Sequence, residues 1–335
     1  MAYQTGDTIL DDEYNNFATG SIGGSATDSA NVNNLWGTGS GDRGYGQTTT
    51  VSAVSAGSNV TATQWSTLLS RITTMGSQQG TSLTAMTSPS AGDEIEIIGA
   101  ISTNLTSLHT NRLNKAANGT AEGAFNSDST GNWSTSAIQE VTVTFDSADE
   151  ARYYFNAGGY IQINPQMVSY TSDAKARSWD ALTQMCGTIR LEAQGTAVSG
   201  SANSITVTEA HTSSQTTLAT TIGYYDMTTS YQTIFQRDLT TSGSPYISGG
   251  ANNVKIEAKS NGTQGSNSDA GTIVTFKISF LDASSDQTYD KSEYNPLDIM
   301  DGTVRNSFNR VPPSTTYLTA TWGTTAVAQS SATHT

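Results

Sequence analysis

The sequence predicts an α+β fold, in which an N-terminal region of short turn-helix repeats is followed by a mainly antiparallel β domain of the sandwich or jelly-roll type. Two observations predict it. In the first third, Gly6, Gly57 and Gly92 each precede a β-branched residue by three positions, and a helical apolar stripe follows within a few residues. From about residue 138 onward, apolar and polar residues alternate, which is typical of strands with one exposed face.

The second repeat gives the clearest N-terminal helix. Thr61 and Gln64 stand at capping-box spacing, and Gly76 is the predicted stop. The apolar stripe of this helix comprises Trp65, Leu68, Leu69, Ile72 and Met75. The third repeat carries a stripe of heptad-like spacing: Ile98, Ile101, Leu105 and Leu108. A coiled coil needs about three or four heptads, so a helix packed on its own domain and a bundle shared with sister subunits both remain open.

The alternation in the second part predicts several strands. The clearest runs from Val274 to Phe280, and shorter pairs of alternating apolar residues predict the others: Val141 and Val143, Ile161 and Ile163, Ile189 and Leu191, Ile205 and Val207, Val254 and Ile256. Two short helices are predicted at 148–155 and 176–185. The resulting boundaries are residues 1–114 for the N-terminal repeat region, 115–137 for a polar linker, 138–310 for the β domain and 311–335 for an extended C-terminal arm, which either lies on a neighbour or frays.

Composition excludes several classes of function. The chain has 335 residues, a net charge of −14 and only 13% charged residues, and no basic cluster stands along the sequence. Binding to nucleic acid requires Lys and Arg at the phosphates, so nucleic acid is not an expected partner. There is one cysteine and no apolar run long enough for a membrane span, and the first residues lack the pattern of a secretory signal. We therefore expect assembly in a cytoplasm, without membrane insertion.

Reactive motifs are weak. Gly39–Gly44 satisfies the G-x-G-x-x-G pattern, but loop residues stand on both sides of it, whereas dinucleotide binding requires a strand before it and a helix after it. Three histidines and one cysteine, without a nucleophile elbow, give little material for a catalytic triad. Acidic clusters could serve a glycosidase, and the stretch from Asp282 to Asp290 could bind an ion, although it lacks the calcium-loop pattern. We expect no catalytic residue, cofactor or metal site.

Several strings resemble virion structural proteins of tailed bacteriophages, most closely those of contractile-tailed phages of marine bacteria and cyanobacteria. They are the Gly-Asp-Thr-Ile start followed by Glu13-Tyr14-Asn15, then Trp36–Gln47 (WGTGSGDRGYGQ), Val60–Trp65 (VTATQW), Glu150–Ile163 (EARYYFNAGGYIQI) and Gly223–Tyr231 (GYYDMTTSY). The resemblance covers most of residues 1–310 and carries no catalytic chemistry.

The resemblance implies a non-enzymatic structural component of a virion. We expect a tail or neck fibre or appendage protein, a homotrimer by analogy, which is anchored to other virion proteins by its N-terminal region and contacts a host-surface glycan. A capsid decoration or neck/collar protein is the alternative, and a tail tube, sheath-associated or baseplate component is a further one. Seven apolar residues are expected to supply the assembly contact, with Trp36 and Tyr45 as loop contacts to a neighbour: Trp65, Leu68, Leu69, Ile72, Ile101, Leu105 and Leu108.

Overall fold

The structure is a computed structural model that describes residues 11–20, 30–90, 97–170, 174–206, 210–241, 252–264, 270–283 and 299–335. Within these ranges the chain forms an α+β fold with a β-sandwich, as the sequence predicts. Its α-helices are α1 (Asp11–Thr19), α2 (Val32–Trp36), α3 (Ala62–Gln79), α4 (Ile98–Thr110), α5 (Ala148–Asn156) and α6 (Ala174–Cys186).

The described strands form two antiparallel sheets. The strands are β1 (Phe125–Thr130), β2 (Ser136–Phe145), β3 (Tyr160–Ser169), β4 (Thr188–Glu192), β5 (Gly195–Ser199), β6 (Ser204–Thr206), β7 (Ala210–Leu218), β8 (Gln232–Thr241), β9 (Asn253–Ser260), β10 (Ile273–Leu281), β11 (Thr303–Val311) and β12 (Thr325–His334). One sheet has five strands in the order β1-β11-β3-β4-β5, and the other has seven in the order β12-β2-β10-β9-β8-β7-β6.

The two sheets pack through the apolar positions of their alternating strands. In β10, Val274, Phe276, Ile278 and Phe280 are buried, while Lys277 between them points outward. Phe276 meets Phe308 of β11 with ring centroids 5.6 Å apart, so the strand with the clearest alternation lies at the centre of the core. The predicted strands at Val141, Ile161, Ile189 and Val254 are confirmed in β2, β3, β4 and β9.

The two helices predicted inside the β region are confirmed as α5 and α6. Ser147 caps α5, because its side chain accepts a hydrogen bond from the Glu150 N–H. Helix α6 packs against β3 of one sheet and against β7, β8 and β9 of the other. Its Trp179 lies 5.0 Å from the ring of Trp133, so α6 fills the space between the two sheets with aromatic surface.

Helix α3 begins where the sequence predicts, but it does not end at the predicted residue. The capping box of Thr61 and Gln64 is present, and the helix passes Gly76 to end at Gly80, whose φ is +69°. A Cβ at Gly76 would lie 2.6 Å from the Leu83 side chain. Gly76 is therefore a close-packing site within the helix, and Gly80 takes the left-handed position that ends it.

The turn-helix repeat itself is not confirmed. The glycines that open the first and third repeats, Gly6 and Gly92, lie outside the described residues. Of the predicted openings, only Gly57 is described, with a φ of +78° in a turn. The helical stripes that follow the three glycines are described, in α1, α3 and α4.

Two predicted boundaries need correction. The segment predicted as a linker, 115–137, contains β1, which pairs with β11 from Phe125 to Thr130. The segment predicted as an extended arm, 311–335, contains β12, which pairs with β2 of its own chain. Ser, Thr, Asn and Ala occupy most positions of both segments, so neither shows the clear apolar alternation that indicates a strand. The sequence therefore predicts a linker and an arm where the structure has strands.

Candidate functional site

The glycine-rich loop at residues 37–46 is the centre of a buried polar network. Gly44 has a φ of +91°, and a Cβ there would lie 2.4 Å from the Thr38 carbonyl oxygen. Gly46 has a φ of +69°, and a Cβ would lie 2.4 Å from the Tyr153 ring. These glycines allow the loop to fold back on itself and to lie directly on α5.

Arg152 of α5 holds this loop by its carbonyl oxygens. Its guanidinium donates to the carbonyls of Arg43 and Thr38, at 2.7 Å in both cases, and more weakly to that of Gly41 at 3.4 Å. Asp149 accepts a further hydrogen bond from it at 2.9 Å. A dinucleotide-binding loop presents backbone N–H groups to phosphate, whereas these contacts are made by the carbonyl side of the loop.

Two other side chains join the same network. Asn156 donates to the carbonyls of Gly41 (3.2 Å) and Gly44 (3.0 Å). The Tyr225 hydroxyl lies 3.0 Å from the Gly41 carbonyl and 2.7 Å from the Asn156 side-chain oxygen. We call Arg152, Asn156, Tyr225 and the loop 37–46 the loop anchor. It joins three strings that are more than sixty residues apart in the sequence.

The two aromatic residues predicted as loop contacts to a neighbour are buried in their own chain. Trp36 is 3% exposed, and the Arg71 guanidinium lies 5.0 Å above its ring. Tyr45 is 2% exposed; its hydroxyl donates to the Arg112 carbonyl at 2.9 Å and accepts from the Gln79 amide at 2.8 Å. Burial raises the pKa of Tyr45 well above its usual value. Both rings therefore hold the loop onto α3 and the residues that follow α4.

The seven apolar residues predicted for assembly are also inside the chain. Their exposed fractions run from 0% to 6% in the single chain. Trp65, for example, meets Tyr14 of α1 edge-on at 5.3 Å. The stripes of α3 and α4 pack on each other and on α1 and α2, which accounts for their apolar character. The correction is that these side chains form an internal core, and they present almost no surface that a second subunit could reach.

One buried histidine lies close to a serine hydroxyl. Ser178 Oγ of α6 lies 2.8 Å from His211 Nε2 of β7. Both residues are 0% exposed, so a substrate has no access to the hydroxyl. The nearby Cys186 is also buried, and burial raises the pKa of its thiol to about 12. These groups link α6 to the seven-stranded sheet, and their burial is opposite to what a nucleophile requires.

The acidic stretch from Asp282 to Asp290 lies mostly outside the described residues. Asp282 itself is 5% exposed and forms an ion pair with Lys175 at 2.9 Å. The described residues contain no group of three or more His, Cys, Asp and Glu side chains placed to hold a metal ion.

The fold assembles one group of lysines that the sequence does not bring together. Lys255 and Lys259 of β9 and Lys277 of β10 lie on the outer face of the seven-stranded sheet. The last two ammonium groups stand 4.3 and 4.4 Å from the Tyr231 ring. Glu257 pairs with Lys255 at 3.0 Å and with Lys277 at 2.6 Å. These lysines are apart in the sequence and meet only in the folded chain, where carboxylates offset most of their charge.

A surface groove has a volume of about 450 Å³. It lies between β3, α6 and the strands β4 and β5. Its walls carry amides, hydroxyls and one carboxylate, with no Lys or Arg: Asn164, Gln166, Asp180, Thr183, Gln184, Thr188 and Ser199. Gln184 donates to Asp180 at 2.8 Å. Burial, together with a hydrogen bond from the Tyr170 phenol to the same carboxylate, raises the pKa of Tyr170.

This groove was not predicted, because its polar residues come from four separate elements. Planar amides, hydroxyls and a carboxylate are suited to hydrogen-bond neutral, hydroxyl-rich ligands, and the nearby Tyr170 offers an aromatic surface for stacking. An anionic ligand would find no cation in the walls.

Comparisons with family models, with curated proteins and with solved structures give no match for this chain. Within the described ranges, no helix combines the length and the apolar character needed to cross a membrane.

Proposed function

We propose that the chain is a non-enzymatic structural component of a phage virion, a tail or neck fibre or appendage protein that is anchored by its N-terminal region. The observation that carries the proposal is the loop anchor. The strings Trp36–Gln47, Glu150–Ile163 and Gly223–Tyr231 carry the resemblance to virion proteins, and each supplies one part of this network. Residues from all three strings meet in one buried network, so the three strings together constrain the same fold. Such a constraint is expected of a structural protein.

The distribution of polar chemistry also supports a structural role. The buried arginines Arg43 and Arg152 are used to hold backbone together, and Gln47 clamps residue 319 through two hydrogen bonds of 2.9 Å. A framework fixed by such contacts is rigid, because each buried polar group constrains the geometry of its partners. Rigidity under load is useful in a particle component.

The groove supports contact with a host-surface saccharide as part of the same function. Its walls match the hydrogen-bonding needs of a neutral sugar. Glycan-array screening followed by titration calorimetry tests this. We expect Asp180→Asn and Gln184→Ala each to weaken binding by roughly five- to thirtyfold, through the loss of hydrogen bonds worth about 1–2 kcal/mol. Gln236→Ala, on the outer face of the other sheet, is the control and should bind like wild type.

The position on the particle is tested by gold labelling of intact particles with an antibody against residues 138–310, viewed by electron microscopy. Label that radiates from the tail or neck is the expected result. Label spread evenly over the head would favour the capsid decoration alternative, and label confined to the tail shaft or baseplate would favour the third alternative. Purified particles that carry no label would contradict the virion assignment.

A further inference from the structure

One end of the β-sandwich leaves the edges of both sheets open. β12 ends the seven-stranded sheet and β1 ends the five-stranded sheet. The two strands lie against each other, since Ser127 of β1 donates to Gln329 of β12 at 3.0 Å and Ser129 lies 2.7 Å from His334. No other described strand pairs with the outer side of either one. Each edge therefore offers backbone N–H and C=O groups to a further strand.

β12 lacks most of the features that normally prevent edge-to-edge pairing. Natural edge strands are commonly short, charged or interrupted by proline. β12 has 10 residues (TAVAQSSATH), with no Lys, Arg, Asp, Glu or Pro. At the opposite edge of the same sheet, β6 has only 3 residues. At the far edge of the other sheet, the Thr196 N–H of β5 already donates to the Ala219 carbonyl at 2.9 Å.

The occupant that this edge fits is a second copy of the same chain. The protein has a net charge of −14, so most pairs of its surfaces repel each other, but β12 is uncharged. The carboxylate of Asp128 on β1 is compensated by Arg305, through two hydrogen bonds of 2.7 Å. The outward side chains of β12, such as Ala326 and Ala328, are small and exposed. The edge can therefore approach its own copy closely without charge repulsion.

We infer that two copies pair antiparallel through β12, around a two-fold axis at Val327. A register irregularity between Gln329 and Ser331 interrupts the strand, so Thr325–Gln329 is the continuous segment that pairs. Ala326 then faces Ala328 of the second copy, and the seven-stranded sheet of one copy continues into that of the other. This inference rests on the proposed function and adds a self-assembly contact to it, and it gives a dimer in place of the trimer that the resemblance implies.

The dimer is weak on its own. The paired segment of five residues spans about 17 Å, and stacked sheets lie about 10 Å apart. The contact therefore covers about 170 Å² per copy, or about 340 Å² for the pair. Stable interfaces start near 1,200 Å², so association should depend on protein concentration. On a particle, where copies are held close together, such an edge contact gains from high effective concentration.

Sedimentation velocity of the full chain over a range of concentrations tests the inference. Wild type should move from 35.2 kDa toward twice that mass. The double variant Ala326→Lys/Ala328→Lys places lysines opposite lysines and should weaken the dimer by roughly tenfold or more. The matched control, Ser204→Lys/Thr206→Lys, makes the same change on two exposed residues of β6 and should associate like wild type.

A mixture of two variants of opposite charge distinguishes loss of the contact from a folding defect. The variant Ala326→Glu/Ala328→Glu should also be monomeric alone, and mixing it with the lysine variant should restore the dimer through opposite charges. A wild-type chain that stays monomeric at all concentrations would overturn both self-assembly and the edge contact. Self-association that is unaffected by the β12 lysines, or that gives a trimer, would overturn the edge contact alone.

Discussion

Within the loop anchor, we expect the replacement of Arg152 to lower the free energy of unfolding most. The substitution Arg152→Ala removes two hydrogen bonds of 2.7 Å, to the carbonyls of Thr38 and Arg43. A hydrogen bond to a charged donor contributes about 1.5–3 kcal/mol to stability. Allowing for some entry of water, we expect the free energy of unfolding to fall by about 3–5 kcal/mol.

The matched control is another arginine with short hydrogen bonds but in an exposed position. Arg305 makes two hydrogen bonds of 2.7 Å to Asp128, and the two side chains are 30% and 42% exposed. Exposed ion pairs contribute about 0–1 kcal/mol, so Arg305→Ala should cost little. The difference between the two variants isolates the effect of burial from that of geometry.

The assay is equilibrium unfolding in urea, followed by fluorescence, together with limited proteolysis of the loop 37–46. Arg152→Lys serves as an intermediate case, because it retains the charge but cannot reach two separate carbonyls at once. Equal losses of stability for Arg152→Ala and Arg305→Ala would refute the idea that the anchor organises the fold. Unchanged proteolysis of the loop in Arg152→Ala would refute it as well.

Three further predictions concern the core. Trp65→Ala should lower the free energy of unfolding by about 3–5 kcal/mol, as measured by urea unfolding, and an unchanged stability would mean that its burial is not maintained in solution. Gly44→Ala should destabilise the chain more than Gly57→Ala, because a Cβ meets backbone at 2.4 Å only at the former; equal melting temperatures would contradict this. The Cys186 thiol should not react with a thiol reagent at pH 8 until the protein unfolds, given its pKa of about 12, and rapid labelling of folded protein would be the contrary result.

The parts of the fold that the sequence predicted correctly are those set by local pattern. The alternation in β10, the capping box of α3 and the apolar stripe of α6 each fix an element from neighbouring residues alone. β7 and β12, in contrast, consist mainly of Ser, Thr, Ala and Gln, and they are strands because long backbone partners lie beside them. The pairing of β12 with β2 spans more than 170 residues, so no local pattern could predict it.

Less of the candidate functional site than of the fold could be predicted from the sequence. Trp65 and Tyr45 were predicted as contacts to a second subunit, because a sequence does not say whether the surface that covers an apolar side chain belongs to the same chain or to another. In the structure, the surfaces that cover these two side chains belong to the same chain. Likewise, Arg152 and Tyr225 belong to strings that the sequence distinguished, yet their meeting at Gly41 depends on tertiary structure. The groove beside Asp180 could not be predicted from the sequence for the same reason.

The central claim is that this chain is a building component of a particle, and quantitative mass spectrometry of purified particles tests it most directly. Particles should be purified through a density gradient from a phage lysate in which this chain is detected. The account predicts that peptides of this chain co-purify in a fixed ratio to the other particle proteins, at several copies per particle. The claim would be contradicted if the chain were abundant in the lysate but absent from the particles.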